Sequence, residues 1–412
     1  VTSRALHAVL LPGGTATGPF VAALAAALDG TGPALLPLDA SLPAARLAEL
    51  IGAFRPSAVV DPDGGQRKPD PGPGPAGPAD GGVPPEVAVV IATSGSTGPP
   101  KGTQLSAAAL LASARASLRR IGAVPGQRWL CCLPVSHVAG LQVLVRSLLA
   151  GAEPAVLTGG LTAATVAASG CSYASLVPAQ LRRLTDDGAG LGGLEAILLG
   201  GSAVPPGLLD AARAAGGRVL TTYGMSETCG GCVYDGQPLD GVQVAVGGDG
   251  RIRISGPVLF SGYRRRPDLT AAATDGRWFV TSDLGSVGPD GRLTVRGRAD
   301  GMIISGGENV AADEVAAVLA GCPGVREAAV VGCPDPEWGE LVTAVVVAQD
   351  PDRPPELAAL REAVRAVLPA AAAPRALVLV AALPLLASGK PDRLAMTALA
   401  ARQMNGTDPG NR

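Results

Sequence analysis

From Glu86 onward the chain alternates short β-branched or aliphatic runs with longer Ala/Leu-rich stretches of helical period. That alternation restricts the fold to a layered α/β architecture, because each buried strand hands over to a helix that must pack back across the sheet. The run Val87 to Ala92 (VAVVIA) predicts a buried strand, and Ser106 is placed to cap a helix that runs to about Arg120 and stops at Gly122. Trp129 to Leu133, Ser175 to Val177, Ala196 to Leu199 and Arg218 to Thr222 repeat the strand signal, with helical stretches between them. Pro205 and Pro206 suit the first turn of one of those helices. Between Gly241 and Arg298 the helical period vanishes, and short strands meet at turns such as Gly247-Gly248-Asp249-Gly250 and Pro289-Asp290-Gly291. From Met302 the alternation resumes, with helices expected near Ala311 to Leu319 and Glu356 to Val367. The expected fold is therefore α/β: a large N-terminal domain of layered α/β sheets with a β-rich subdomain, plus a small C-terminal α/β domain. The Pro/Gly/Asp-rich stretch 62–85 reads as a mobile surface loop rather than a domain linker, because a strand begins directly after it.

Charge and cysteine content narrow the function. Lys+Arg 33 against Asp+Glu 35 gives a net charge of −2, so no global basic field draws the chain to nucleic acid or to an anionic membrane. An anionic ligand must be held locally. Seven cysteines, an odd number at irregular spacing, point to reduced thiols in the cytoplasm rather than to a disulfide framework. Cys229 and Cys232 form a lone CxxC, but a zinc site needs two more ligands and the chain has two histidines. The apolar run Ala376 to Leu386 is broken by Pro384 and falls short of the ~20 residues that span a bilayer, so no membrane span is expected. His7 and the glycines after Pro12 spoil the pattern of a signal peptide. A homo-oligomer is compatible with all of this.

The sharpest chemical signal is Thr93-Ser94-Gly95-Ser96-Thr97-Gly98-Pro99-Pro100-Lys101-Gly102, directly after the predicted strand. Glycines let backbone amides approach an anion, Ser and Thr hydroxyls add donors, and Lys101 supplies positive charge, which together make a phosphate cradle. A Walker A loop would need Gly before the lysine and Ser or Thr after it; Pro100 and Gly102 stand there instead.

This string resembles the signature of the adenylate-forming superfamily of acyl-CoA synthetases, peptide-synthetase adenylation domains and luciferases, and further matches follow in that family's order. Pro37-Leu38-Asp39 with Arg46-Leu47 resembles its early PLD segment, and Leu133-Pro134-Val135-Ser136-His137-Val138-Ala139-Gly140 resembles its LPxxHxxG element. Gly200-Gly201-Ser202 resembles its adenine-contacting turn, and Tyr223-Gly224-Met225-Ser226-Glu227-Thr228 its YGxTE motif. Thr281-Ser282-Asp283, Gly297-Arg298-Ala299-Asp300 and Ser388-Gly389-Lys390 resemble its ribose, hinge and catalytic-lysine motifs, with Ser282 where the family usually has Gly. The resemblance implies an ATP- and acid-binding domain over 1–299 and a small mobile domain over 300–412, turning about Asp300. It implies that the loop residues Thr93, Ser94, Gly95, Ser96, Thr97, Gly98 and Lys101 hold the phosphates of ATP. Tyr223 would stack on adenine, with Gly224, Met225 and Ser226 beside it and Gly200, Gly201 and Ser202 at the base's polar edge. Asp283 would accept the ribose hydroxyls, and Arg298 would donate to the sugar or the α-phosphate. Glu227 and Thr97 would hold Mg²⁺. Lys390 would bridge the acid's carboxylate and the α-phosphate, and the Gly306-Gly307 loop would face a thiol substrate.

Without that context His137 reads as a core histidine; the resemblance places it in the acid pocket. The run from His137 to Leu148 is similar to the o-succinylbenzoate-CoA ligases of menaquinone synthesis more than to peptide-synthetase domains. The activity implied is ATP-dependent ligation of a carboxylic acid to coenzyme A, with 2-succinylbenzoate as the acid and ATP, Mg²⁺ and coenzyme A as cofactor and co-substrates. Two alternatives stand beside it: another aryl or fatty acid passed to coenzyme A or a carrier protein, and a nucleotide-binding scaffold without chemistry. Intact Lys390, Glu227 and Asp283 speak against the second. Arg146 either binds the second carboxylate of succinylbenzoate or faces solvent, and Arg264-Arg265-Arg266 either meets coenzyme A phosphates or forms an exposed basic loop.

Overall fold

The structure is a computed structural model that describes residues 3–69, 82–93, 100–188, 190–205, 207–385 and 392–406. Contacts divide the chain into two compact units: Val1–Gly201 with Ala212–Val244 and Arg253–Val280, and Ser202–Ala211 with Ala245–Ile252 and Thr281–Arg412.

The first unit carries two sheets. Across one, the strands run in the order Gly262–Tyr263, Lys101–Ser106, Val87–Thr93, Ala34–Asp39, Arg4–Leu11, Ala58–Val60, Gln66–Arg67, with Gly82–Val83 also on Arg4–Leu11. Its core is aliphatic: Leu6, Ala8, Leu36, Leu38, Val59 and Val90 pack around Phe54, and Val87 to Ile91 are buried on both faces, as VAVVIA predicts. The glycine-rich segment is entered and left by strands. Val87–Thr93 returns antiparallel into Lys101–Ser106, with Thr93 opposite Lys101, so strands close the loop rather than a helix N-terminus. The helix starts only at Ala107, where the Ser106 hydroxyl accepts the Ala109 amide at 3.1 Å, and it ends at Ile121 before the left-handed Gly122, as the caps predict.

In the second sheet Ala155–Val156, Trp129–Cys131, Tyr173–Leu176, Ala196–Leu199 and Val219–Met225 are parallel neighbours in that order, followed by antiparallel Gly230–Tyr234 and Gln237–Pro238. Parallel strands put their carboxyl ends on one edge, where ligands of open α/β sheets bind. Leu133 to His137, Gly200-Gly201 and Tyr223 all emerge there.

Within the second unit, residues 283–287 of the strand Trp278–Val287 pair with Leu293–Arg298, and a small sheet in the order Glu308–Ala311, Met302–Ser305, Gly339–Ala348, Val325–Asp335 takes Ala376–Leu379 alongside Gly339–Ala348. Helices Ala312–Ala320 and Leu357–Arg365 cover one face of it through Val315, Leu319, Leu360 and Val364; Met396 and Ala400 of helix Arg393–Gly406 cover the other. The small α/β domain read from the sequence is present. Residues 299 and 300, its expected boundary, lie inside the second unit, since the end of the Leu293–Arg298 strand reaches the first turn of helix Ala312–Ala320, where Arg296 and Glu314 pair at 3.9 Å.

Two local expectations are corrected. The stretch 62–85 is not all loop, because Gln66–Arg67 and Gly82–Val83 pair into the first sheet. The helix expected to open with Pro205 and Pro206 begins at Leu208, after them. Among the described residues no helix is long and apolar enough to cross a membrane, and all seven cysteines are free thiols.

Candidate active site

Leu199 lies opposite Thr221 in the parallel pair, so Gly200-Gly201 leaves the sheet beside Thr222 and half-buried Tyr223, at the shared carboxyl edge. Ser202, next along the chain, is exposed. After Tyr223 the register against Gly230–Tyr234 shifts by a bulge, and the backbones close so tightly that a Cβ at Gly224 would lie 2.0 Å from the Gly230 carbonyl oxygen. Thr228 fastens the turn: its hydroxyl accepts the Met225 amide at 2.9 Å and lies 2.8 Å from the Gly230 carbonyl. Ser226 and Glu227 ride on this short turn, Ser226–Thr228.

On the phosphate side the described residues are Thr93 and Lys101; Ser94, Gly95, Ser96, Thr97 and Gly98 lie outside the description. Thr93 Oγ1 donates to the Lys101 carbonyl at 3.2 Å. Lys101 Nζ sits 5.5 Å from the centroid of the Tyr263 ring, and the Tyr263 hydroxyl donates to Glu227 Oε1 at 2.7 Å. Burial, and then the Glu227 carboxylate, push the Tyr263 phenol up, so it stays protonated as a donor. The structure thus joins two expected residues, Lys101 and Glu227, through a tyrosine that the motifs do not contain. Its only sequence signal is a tyrosine after Gly262 in a chain with four tyrosines. Among the described residues no group of three or more His, Cys, Asp or Glu could hold a metal ion alone. Glu227, whose Oε2 has no hydrogen-bond partner among them, is a hard oxygen donor of the kind that takes Mg²⁺ already carried on a triphosphate, so the residues present fit that ion.

The acid side is built on helix Val138–Leu149, which His137 opens in extended conformation; its carbonyl accepts the Leu141 amide at 3.0 Å. Helix and preceding segment touch at Gly140, where a Cβ would lie 2.4 Å from the Pro134 oxygen and 2.6 Å from the Leu133 oxygen. Both obstacles are backbone, so Gly140→Ala should lower unfolding stability by about 1–3 kcal/mol, the usual cost of overpacking. Urea denaturation checks this; an unchanged midpoint would mean that Leu133-Pro134 gives way freely.

Arg146, nine residues on from His137, does not face solvent. It is 5% exposed, its guanidinium carbon lies 4.3 Å from the centroid of the Trp129 ring, and Nη2 donates to Ser175 Oγ at 2.8 Å. Nε has no partner, and no carboxylate among the described residues pairs with the group. Burial pulls its pKa down. The basic loop is corrected too. Arg264 is buried and spends its guanidinium on the carbonyls of Phe54, Arg55 and Gly82, and Arg266 pairs with Asp268, so neither of these two is a free basic group. The Cys229–Cys232 pair is fully buried, and burial pushes the Cys232 thiol up to about 12 and the Cys229 thiol further, which leaves both protonated and inert.

In the second unit Asp283 stands opposite Arg298 across the strand pair, with Nη1 3.5 Å from Oδ1; Asp283 is 8% exposed and its amide donates to Thr281 Oγ1 at 3.0 Å. The expected ribose pair is therefore adjacent. Asp300 lies in the turn Ala299–Gly301. Gly306 and Gly307 follow the strand Met302–Ser305, and the Gly306 amide donates to the Trp338 carbonyl at 2.9 Å. Lys390 lies outside the described residues.

Residues 16–264 match the model of the AMP-binding enzymes, and residues 314–390 match that of the AMP-binding enzyme C-terminal domain. A Mycobacterium tuberculosis protein named "Probable 2-succinylbenzoate–CoA ligase" is 44% identical over 406 residues, 95% of this chain and 97% of its own. The o-succinylbenzoate CoA synthetase (MenE) of Bacillus subtilis, solved in complex with the acyl-adenylate intermediate OSB-AMP, superposes with a TM-score of 0.80 at 25% identity, covering 96% of this chain and 88% of that one. The same enzyme in complex with ATP and magnesium ion gives 0.79 at 25% identity, over 96% and 89%. The chain belongs to the family of AMP-binding enzymes. The curated relative it matches along nearly its whole length is named as an acid–CoA ligase, which places it in that branch.

Proposed function

We propose that the chain is an ATP-dependent acid–thiol ligase that converts 2-succinylbenzoate to its coenzyme A thioester through an acyl-adenylate, a step of menaquinone biosynthesis. The observation that carries the choice of acid is Arg146. A cation buried against Trp129 and Ser175 with no carboxylate beside it among the described residues is costly. An acid with two carboxylates offsets that cost with one while presenting the other to ATP. The 44% identity to the mycobacterial ligase supports the same acid.

In the first half-reaction a carboxylate oxygen of the acid attacks the α-phosphorus of ATP, and the bond to the bridging oxygen breaks to release pyrophosphate. In the second, the coenzyme A thiol attacks the acyl carbon and AMP leaves with the electron pair. Tyr223 stacks the base, Gly200, Gly201 and Ser202 meet its polar edge, Gly224, Met225 and Ser226 form the adjoining wall, and Asp283 with Arg298 holds the ribose and α-phosphate side. Thr93, Ser94, Gly95, Ser96, Thr97, Gly98 and Lys101 receive the phosphates. Glu227 and Thr97 would hold Mg²⁺, which when bound neutralises triphosphate charge. His137 lines the acid pocket. Lys390 steadies the negative charge that gathers as the α-phosphate is attacked, and the small domain turns about Asp300 to replace it with the Gly306-Gly307 loop for the thiol step.

Exchange of labelled pyrophosphate into ATP tests this directly. The exchange should depend on 2-succinylbenzoate, and adding coenzyme A should yield its thioester. Exchange with other aryl or fatty acids but none with succinylbenzoate would overturn the substrate and leave the adenylation chemistry standing.

A further inference from the structure

We infer that Tyr263 is a positioning residue for adenylation: its hydroxyl fixes one oxygen of Glu227 and leaves the other for the magnesium-bound triphosphate, while its ring seats Lys101. The inference rests on the adenylation reading above. Glu227 sits on a three-residue turn, Ser226–Thr228, too short to fix a long side chain by itself. Its restraint comes from one neighbouring segment: the Phe260 amide donates to the Glu227 carbonyl at 2.9 Å, and three residues later the Tyr263 hydroxyl donates to its carboxylate at 2.7 Å. Backbone and side chain are thus held from the same side.

Tyr263 is itself held with unusual thoroughness. Gly262–Tyr263 pairs with Lys101–Ser106, the strand that leaves the glycine-rich loop, with Tyr263 opposite Thr103. The Ser261 amide donates to the Gln104 carbonyl at 2.8 Å and the Arg264 amide to the Gly102 carbonyl at 2.7 Å. The Arg264 guanidinium clamps the same segment onto the Phe54, Arg55 and Gly82 carbonyls, and the Tyr263 ring, 7% exposed, packs edge-on to Phe260 at 4.9 Å. The segment 260–264 ties the strand that carries Lys101 to the turn that carries Glu227, and Tyr263 is the side chain in it that contacts both residues. Holding a carboxylate in its working rotamer before the ligand arrives removes an ordering cost that binding would otherwise bear.

Tyr263→Phe keeps the ring, its contact with Phe260 and the seat for Lys101, and removes only the hydroxyl. Calorimetry would give dissociation constants for ATP with excess magnesium, for ATP in chelator, and for AMP. The magnesium-dependent gain in ATP affinity should fall about two- to tenfold, as expected when one long side chain must be ordered on binding, while AMP and metal-free ATP bind as in wild type. In Glu227→Gln that gain should already be lost, and adding Tyr263→Phe should lower it no further, since the tyrosine acts through the glutamate. Equal weakening of AMP and ATP would reduce Tyr263 to a packing residue and overturn the inference, as would an unchanged magnesium-dependent gain or additive effects in the double variant. A wild type that binds no ATP would instead bring down the adenylation reading, and this inference with it.

Discussion

Lys390→Ala should slow acyl-adenylate formation by about 10²–10³-fold, the loss of about 3–4 kcal/mol of transition-state stabilisation, and leave thioester formation from supplied acyl-AMP largely intact. The split follows from where charge develops. When the carboxylate attacks, negative charge concentrates on the oxygens around the α-phosphorus, and one preorganised cation there counts for far more than in water. When the thiol attacks acyl-AMP, charge gathers at the acyl carbonyl, and in the proposed mechanism Lys390 has by then left the site. Single-turnover measurement of each half-reaction separates the two. Equal losses in both would remove Lys390 from its role. Asp300→Pro should show the mirror image, with acyl-AMP accumulating, because a fixed φ at the hinge restrains the turn without touching the ATP side.

The parts of this molecule that were legible in the sequence are those whose chemistry runs along consecutive residues. The strand Val87–Thr93, the cap at Ser106 and the stop at Gly122 are local, and the structure has them where propensity and capping place them. The strand Lys101–Ser106 was not legible, because KGTQLS carries a glycine and four polar residues and owes its pairing to Val87–Thr93 and Gly262–Tyr263 on either side. Charged residues were misread for a related reason. Nothing in the triplet 264–266 says that carbonyls from residues 54, 55 and 82 wait for the first arginine, which turns a basic loop into a buried clamp. Arg146 likewise looks solvent-facing until Trp129 and Ser175, from two strands of the sheet beneath its helix, are brought against it. Tyr263 has no motif around it, since its meaning lies in contacts to residues 101 and 227. Motifs reveal what touches the ligand; what holds those residues still comes from tertiary contacts.

Arg146→Leu should lower kcat/KM for 2-succinylbenzoate by about 2–4 kcal/mol, some two orders of magnitude, because it would leave a buried ligand carboxylate without its partner. Acids lacking the second carboxylate should lose little or gain, and the ratio of the two acids' losses cancels any general damage to ATP binding. Stability should move the other way. Among the described residues the buried Arg146 guanidinium has a single hydrogen bond and an unsatisfied Nε, so an apolar side chain against Trp129 relieves a desolvation cost. The variant should therefore unfold at the same denaturant concentration as wild type or a higher one, and succinylbenzoate with ATP should raise the midpoint less in the variant. A residue kept only for packing would show the reverse pattern, with lower stability and equal losses for both acids. Activity lost where stability is kept or gained is the mark of a charge retained for its ligand rather than for the fold, and a variant that is both less stable and equally impaired toward every acid would take Arg146 out of the acid site.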